Sequence, residues 1–433
     1  MREEFIHFIW LYRLFDHTNL VTDEFEPLQI IYPGNHNFDS GPDFSNARIR
    51  IGDKLWAGNV EIHIRTSDWF NHNHHLDPAY NNVILHVVYD NDLRLSNSQK
   101  VLTLPTLKLK GRIDLNKYLH WQKLINRPDW IPCKSQFNKV PEIIKLQAIE
   151  WMAIERLERK TLRVDNLLER SKGNWETTLL LLLTRSLGAK TNSEAFEVLA
   201  GLVPLNLIKK LKGKTCQIEA LVFGLSGLLL NAPEDDYTNE LKKEYDFLKR
   251  KYNLTEMQAA HWKFMRMRPA NFPTLRLAQL ARILNDWEQL TKLLFYTSRS
   301  KKFDKILQQA INPYWEIHYR FGKKSEVKAS KMGKTMVNNI VINAVVPFLY
   351  AYGKAHANAE IKESAVTVLQ QTPAEKNNII KGWKALNVES QNAFETQGLI
   401  ELKNQFCAFK KCLTCKIGAW TISKYKNDDA THT

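Results

Sequence analysis

The sequence predicts an α+β protein: a sheet-bearing N-terminal domain followed by a large, mainly α-helical region. Residues 46–65 alternate with period two around Gly52-Asp53, and residues 83–88 are a short run of mostly β-branched residues. Beyond about Pro141 the apolar period lengthens to three and a half. With 433 residues, 44% of them hydrophobic, the chain is long enough for two or three cores at about 150 residues each. The expected division is 1–135, 136–300 and 301–433.

The first element is a helix over 3–15, where Phe5, Phe8, Ile9, Tyr12 and Phe15 recur at helical spacing and Glu4 suits the positive end of the helix dipole. Strands over 46–51 and 55–65 then form a hairpin about Gly52-Asp53. Side chains alternate along the second strand, so Glu61 and His63 share one face while Val60, Ile62 and Ile64 share the other. Asp43 stands eighteen positions before Glu61, and the hairpin lets both carboxylates converge at one end of a small sheet. Two such acids suit a hard divalent cation, Mg2+ or Mn2+, that holds water and phosphate together.

A Pro42-Asp43 pair, a hairpin and then Glu61-Ile62-His63 resembles the signature of the PD-(D/E)XK nuclease superfamily. The resemblance implies a restriction-endonuclease-like α/β core over 1–135 and metal at Asp43 and Glu61. It further implies the Ile62 carbonyl as an added ligand, His63 as the residue that orients or activates water, and hydrolysis of phosphodiester bonds in DNA or RNA. Members often carry a helical acid as well, and Glu4 stands in that place. Their last motif residue is normally Lys. His63 exchanges its fixed charge for a group that titrates near neutrality and binds metal itself. That departure equally fits a non-catalytic nucleic-acid-binding or assembly protein that keeps the fold.

The segments 34–37 through Gly41-Pro42-Asp43-Phe44, 56–63, 80–88 and 268–273, with the cysteine-bearing tail, are similar to a bacterial family known only as a domain of unknown function. This resemblance implies relatives over nearly the full length and leaves the activity open.

After the hairpin come His72, His74, His75 and Tyr80. With His63 and His86, His72 and His74 offer a zinc set, and a metal-dependent hydrolase built on this loop is a third reading. The alternatives are that His86 hydrogen-bonds within the core and that His72, His74 and Tyr80 line a substrate phosphate.

A net charge of +15 and a pI of about 9.4 favour a polyanion, so nucleic acid is the expected partner. Basic residues gather at Lys209, Lys210, Lys212 and Lys214, at Lys249, Arg250 and Lys251, at Arg299, Lys301 and Lys302, and through 323–334. Trp262, Phe264 and Tyr296 either stack on bases or belong to the core. Arg266 and Arg268, with Arg276 and Arg282 beyond, form either a phosphate clamp near a helix that Thr274 caps, or an elbow whose arginines pair with carboxylates.

Helices are expected over 175–187, 193–200, 218–230, 237–251, 275–297 and 338–355. No Walker-type loop supports ATP-driven work. No signal peptide and no apolar run of roughly 18 residues is present, so a cytoplasmic location without membrane contact is expected; protein partners are not indicated.

Of five cysteines, Cys407, Cys412 and Cys415 form Cys-x4-Cys-x2-Cys, and Cys133 is the candidate fourth ligand. An iron-sulfur cluster, zinc and plain reduced thiols all fit. A lone cysteine with a C-terminal triplet resembles the iron-sulfur staple of certain PD-(D/E)XK nucleases, although there the lone cysteine precedes the core. Lys410 and Lys411 favour thiolate.

Overall fold

A computed structural model describes residues 1–37, 39–93, 104–265, 267–297, 301–324 and 331–425. The fold is mixed α+β, with an N-terminal curled sheet and a mostly helical remainder. Helix α1 (Glu3–Leu11) carries Glu3 and Glu4 in its first turn, where they complement the dipole, and buries Phe5, Ile6, Phe8, Ile9 and Trp10. It stops short of the expected Phe15 because Arg13 adopts a left-handed φ of 50°. Phe15 instead forms a β-bridge with Ile113.

Six strands make one sheet: β1 (Leu28–Tyr32), β2 (Asn35–His36), β3 (Phe44–Ile51), β4 (Lys54–Arg65), β5 (Val83–Asp90) and β6 (Thr106–Lys108). Their order is β1-β3-β4-β5-β6, with β2 also against β3. The β3–β4 hairpin turns where Ile51 pairs with Lys54, and Gly52 supplies the positive φ of 56° that the tight turn needs. β5 lies parallel to β4, so the chain must cross over between them. That crossover holds α2 (Asp68–Asn71) and two short 3-10 turns. Phe44, Ile49, Val60, Ile62, Leu85 and Val87 pack with Phe5, Ile9 and Trp10 in one buried cluster, each contributing about 1.5–3 kcal/mol.

One irregularity decides where Asp43 points. Ala47 pairs with Gly58, but Phe44 pairs with Val60, so β3 holds an extra residue, and Asn46 takes it up with a φ of 59°. In a regular strand Asp43 would share parity with buried Ala47, Ile49 and Ile51. The bulge moves Phe44 onto that apolar face and turns Asp43 toward Glu61 and His63.

By contacts the chain forms two compact units, residues 1–149 with 402–433, and residues 150–401. The sequence pattern places boundaries near 135 and 300. The difference at the C-terminus comes from tertiary contacts: Lys117 of α3 (Leu115–Asn126) donates to the Tyr425 carbonyl at 3.1 Å, and His120 stacks on Tyr425 at 3.9 Å.

In the second unit, the helix Trp175–Leu187 begins where the Asn174 side chain accepts from the Thr177 N–H. The helix Asp236–Tyr252 starts from an Asp235–Thr238 capping box and ends at Asn253 with φ 50°. The single helix expected over 275–297 is two, Pro273–Asn285 and Trp287–Thr297, because Asp286 leaves helical geometry. The helix expected from 338 starts at Lys334 and carries a π turn over Val341–Val345. At 22 residues, Lys334–Ala355 is long and apolar enough to cross a membrane, and 78% of its apolar window is buried within the protein. Counting uninterrupted apolar residues misses it, since Asn338, Asn339 and Asn343 break the run without stopping the helix.

Exposed Asn46 isolates the bulge. Asn46→Gly is expected to leave stability nearly unchanged, whereas Asn46→Ile lowers it by about 1–2 kcal/mol because a β-branched residue resists the left-handed region. Urea unfolding of the two variants checks this.

Candidate metal centre

Glu61 and His63 lie on one face of β4, only 4% and 1% exposed. Asp43 reaches them from the start of β3, and backbone hydrogen bonds fix both acids. The Ile62 N–H donates to Asp43 Oδ2 at 2.9 Å, and the Asp43 N–H donates to Glu61 Oε2 at 3.1 Å.

The crossover supplies two more imidazoles. His72 closes α2, and Asn73, with a φ of 60°, reverses the chain so that His74 also turns inward. His72 Nδ1 is 3.1 Å from His63 Nε2, and His74 Nε2 is 3.3 Å from Glu61 Oε1, which lies 3.6 Å from His63 Nε2. Ligand nitrogens of His63, His72 and His74 all fall within 4.8 Å of one another, a candidate three-histidine metal site. Donors on one tetrahedral zinc stand about 3.3 Å apart, and several of these separations are close to that. His74 is held by Tyr80, stacked at 3.9 Å, and by the edge of Trp69.

Behind the three histidines, His86 Nε2 is 2.8 Å from His63 Nδ1. This contact occupies one ring nitrogen of His63 and leaves Nε2 facing the other donors, the usual outer support of a metal-binding histidine. His86 Nδ1 is buried without a hydrogen-bond partner.

From α1, His7 Nε2 comes 3.3 Å from Asp43 Oδ2, close enough for charge pairing without hydrogen-bond alignment. Glu3 lies in the field of His7, Asp43 and His72. His7 stands edge-on to His36, which stacks on Phe44.

Burial, then the neighbouring Asp43 carboxylate, pushes Glu61 up to about 9. Burial, then His72 and His74, takes His63 down to about 4, and His74 and His86 are lowered chiefly by burial. Burial followed by Glu61 and Asp43 raises Tyr80 to about 12. Neutral imidazole is the metal-binding form, and a buried acid beside another acid lacks a positive charge. The pocket is therefore set to receive a cation.

The structure brings together Asp43, Glu61, His63, His72, His74 and Tyr80. Glu4 pairs with Arg2 at 3.4 Å on the surface, and Glu3 is the α1 acid that feels Asp43. Sequence reasoning missed Glu3 and His7. Their i, i+4 spacing, off the apolar stripe of α1, was the available signal.

Arg268 is exposed in the 150–401 unit, while Arg266, Arg299 and 325–330 lie outside the described residues, as does the Tyr296 side chain. Thr274 does not cap its helix; Pro273 starts it, and the Thr274 hydroxyl donates to the Tyr319 carbonyl. Arg276 donates to Gln279 and Asn271, and Arg282 pairs with Asp286. Lys209, Lys212 and Lys249 pair with Glu176, Glu288 and Glu256. Trp262 is core, donating to the Ser226 carbonyl, and Phe264 lies under Arg320.

A family model described as "Protein of unknown function (DUF2851)" matches residues 3–378. The chain belongs to that family. The match covers the whole candidate centre and stops before Cys407, so the cysteine triplet lies outside the matched residues. No curated protein and no solved structure matches the chain.

Calorimetric titration of the metal-stripped protein with Zn2+ is expected to show one tight site. His63→Ala or His74→Ala removes it, whereas His75→Ala, on the exposed side of the loop, keeps it. His86→Leu preserves bulk but loses the support of His63 and is expected to weaken binding about 10–100-fold.

Proposed function

We propose that the protein is a metal-dependent hydrolase that cleaves phosphodiester bonds in DNA or RNA at the sheet end where Asp43, Glu61, His63, His72 and His74 meet. The observation that carries this reading is the meeting of three imidazoles with two buried or half-buried carboxylates. A donor set this rich in imidazole favours Zn2+, with Mn2+ next through the carboxylates and Mg2+ last. Three histidines with Glu61 as a further donor would leave water a position on a cation that expands to five-coordination. The bound cation would lower the pKa of that water and polarise a phosphoryl oxygen.

The chain's own groups divide the remaining work. Glu61, buried against two imidazoles, is placed as an oxygen donor. Asp43 is more exposed, is oriented by the Ile62 N–H and sits beside His7, so its carboxylate is placed to accept a proton from water. His63 is held in orientation by His86. The charge of +15 supports a polyanionic substrate.

Cleavage of labelled single- and double-stranded DNA and RNA, with Zn2+, Mn2+ or Mg2+ added to metal-stripped protein, tests the proposal. Metal-dependent cleavage is expected, falling at least about 100-fold in Asp43→Asn and in Glu61→Gln. Nucleic-acid binding without cleavage under every metal, unchanged by Asp43→Asn, would instead support the non-catalytic binding protein that the missing lysine at position 63 suggests.

A further inference from the structure

Four of the five cysteines, from segments far apart in sequence, belong to the first unit. Cys133 follows α3, whereas Cys407, Cys412 and Cys415 come from the returning C-terminal segment, and all four lie in the unit formed by residues 1–149 with 402–433. The charged form of each thiol would be felt by the other three, so the four side chains lie in one neighbourhood. Other contacts hold the two ends of the set together. Lys403, in the π turn Leu402–Cys407, donates to the Trp130 carbonyl at 2.6 Å and covers the Trp130 ring, which ties the Cys407 turn to the turn that carries Cys133. A Cβ on Gly418 would meet the Cys412 carbonyl oxygen at 2.3 Å, so the helix Lys416–Ser423 presses directly on the Cys412 backbone. Cys415 is the residue just before that helix. Its thiolate is favoured by the Ile417 and Gly418 N–H groups, without a closed cap hydrogen bond.

All four thiols are free, and burial pushes each of them up, Cys412 to about 12. Lys410 and Lys403 act in the opposite direction on Cys412 and Cys407, and burial outweighs them. The lysines beside the cysteines therefore do not make reactive thiolates, contrary to what their sequence position suggests. Thiols are commonly buried as small hydrophobes, but four brought together from two distant segments form a ligand set.

We propose that Cys133, Cys407, Cys412 and Cys415 hold a polynuclear iron-sulfur cluster. Spread and spacing separate this from zinc. Four thiolates on one zinc stand about 3.8 Å apart, given a zinc–sulfur bond of about 2.3 Å. Among the described residues, three-ligand sets closed to within 4.8 Å include the histidines and no three of these sulfurs. A cluster distributes its thiolates over two or more irons and so accepts a wider set. Cys-x4-Cys-x2-Cys with one remote cysteine is also a spacing used to hold such clusters. The site is independent of the proposed hydrolytic centre, since it shares no residue with it.

The full-length chain, purified without oxygen, is assayed for iron, acid-labile sulfide and zinc, and for a visible absorption band that dithionite bleaches. About two or about four irons per chain with equal sulfide are expected, falling to background in Cys133→Ser and in Cys412→Ser and retained in Cys216→Ser. Zinc without sulfide that Cys133→Ser removes and His63→Ala keeps, or no iron and sulfide after anaerobic reconstitution with both, overturns the proposal. The wild-type metal and sulfide contents decide the question even where a serine variant does not fold.

Discussion

A carboxylate buried beside a second one is raised by the loss of water and by repulsion from its neighbour. Glu61 is in this position beside Asp43, and much of the first unit is arranged around the pair. Each acid accepts a backbone N–H from the other's strand, which fixes the β3–β4 register at the sheet end. His7 is brought from α1 to within 3.3 Å of Asp43, and His74 is brought from the crossover to within 3.3 Å of Glu61. Binding a cation would turn the repulsion between the acids into an attraction that each of them shares.

The topology makes this arrangement possible. A parallel β4–β5 pair requires a crossover, and this one returns over the face that carries Glu61 and His63. His72 and His74 of the crossover therefore become neighbours in space of His63 on β4. β5 contributes differently: its His86 lies in register with Glu61 and supports His63 from behind. Outer support of this kind costs little in sequence, a single residue inside an otherwise apolar strand, and sets which nitrogen of His63 faces the other donors.

The four buried thiols, proposed above as softer ligands, obey the same physics. Burial raises four thiols, as it raises Glu61. In both places like groups are crowded where water cannot solvate their charged forms.

The sequence by itself determined the α+β class, the β3–β4 hairpin, the shared face of Glu61 and His63, and most of the helices. These follow from periodicity and turn chemistry, which act over a few residues. It also marked Asp43, His72, His74, Tyr80 and the four cysteines as residues with chemistry to spare. Only the tertiary structure decided how they are used. Asp43 has the parity of the apolar face, and a bulge at Asn46 was needed to turn it inward. The sequence offered a core hydrogen bond for His86 and a substrate phosphate for His72 and His74; strand register made His86 the support of His63, whereas the other two became candidate ligands. Glu3, not Glu4, faces the acids because of how α1 packs, and the C-terminal cysteines join Cys133 because residues 402–425 return to the first unit. Each outcome depends on contacts between segments far apart in the chain, where local pattern carries no information and packing does.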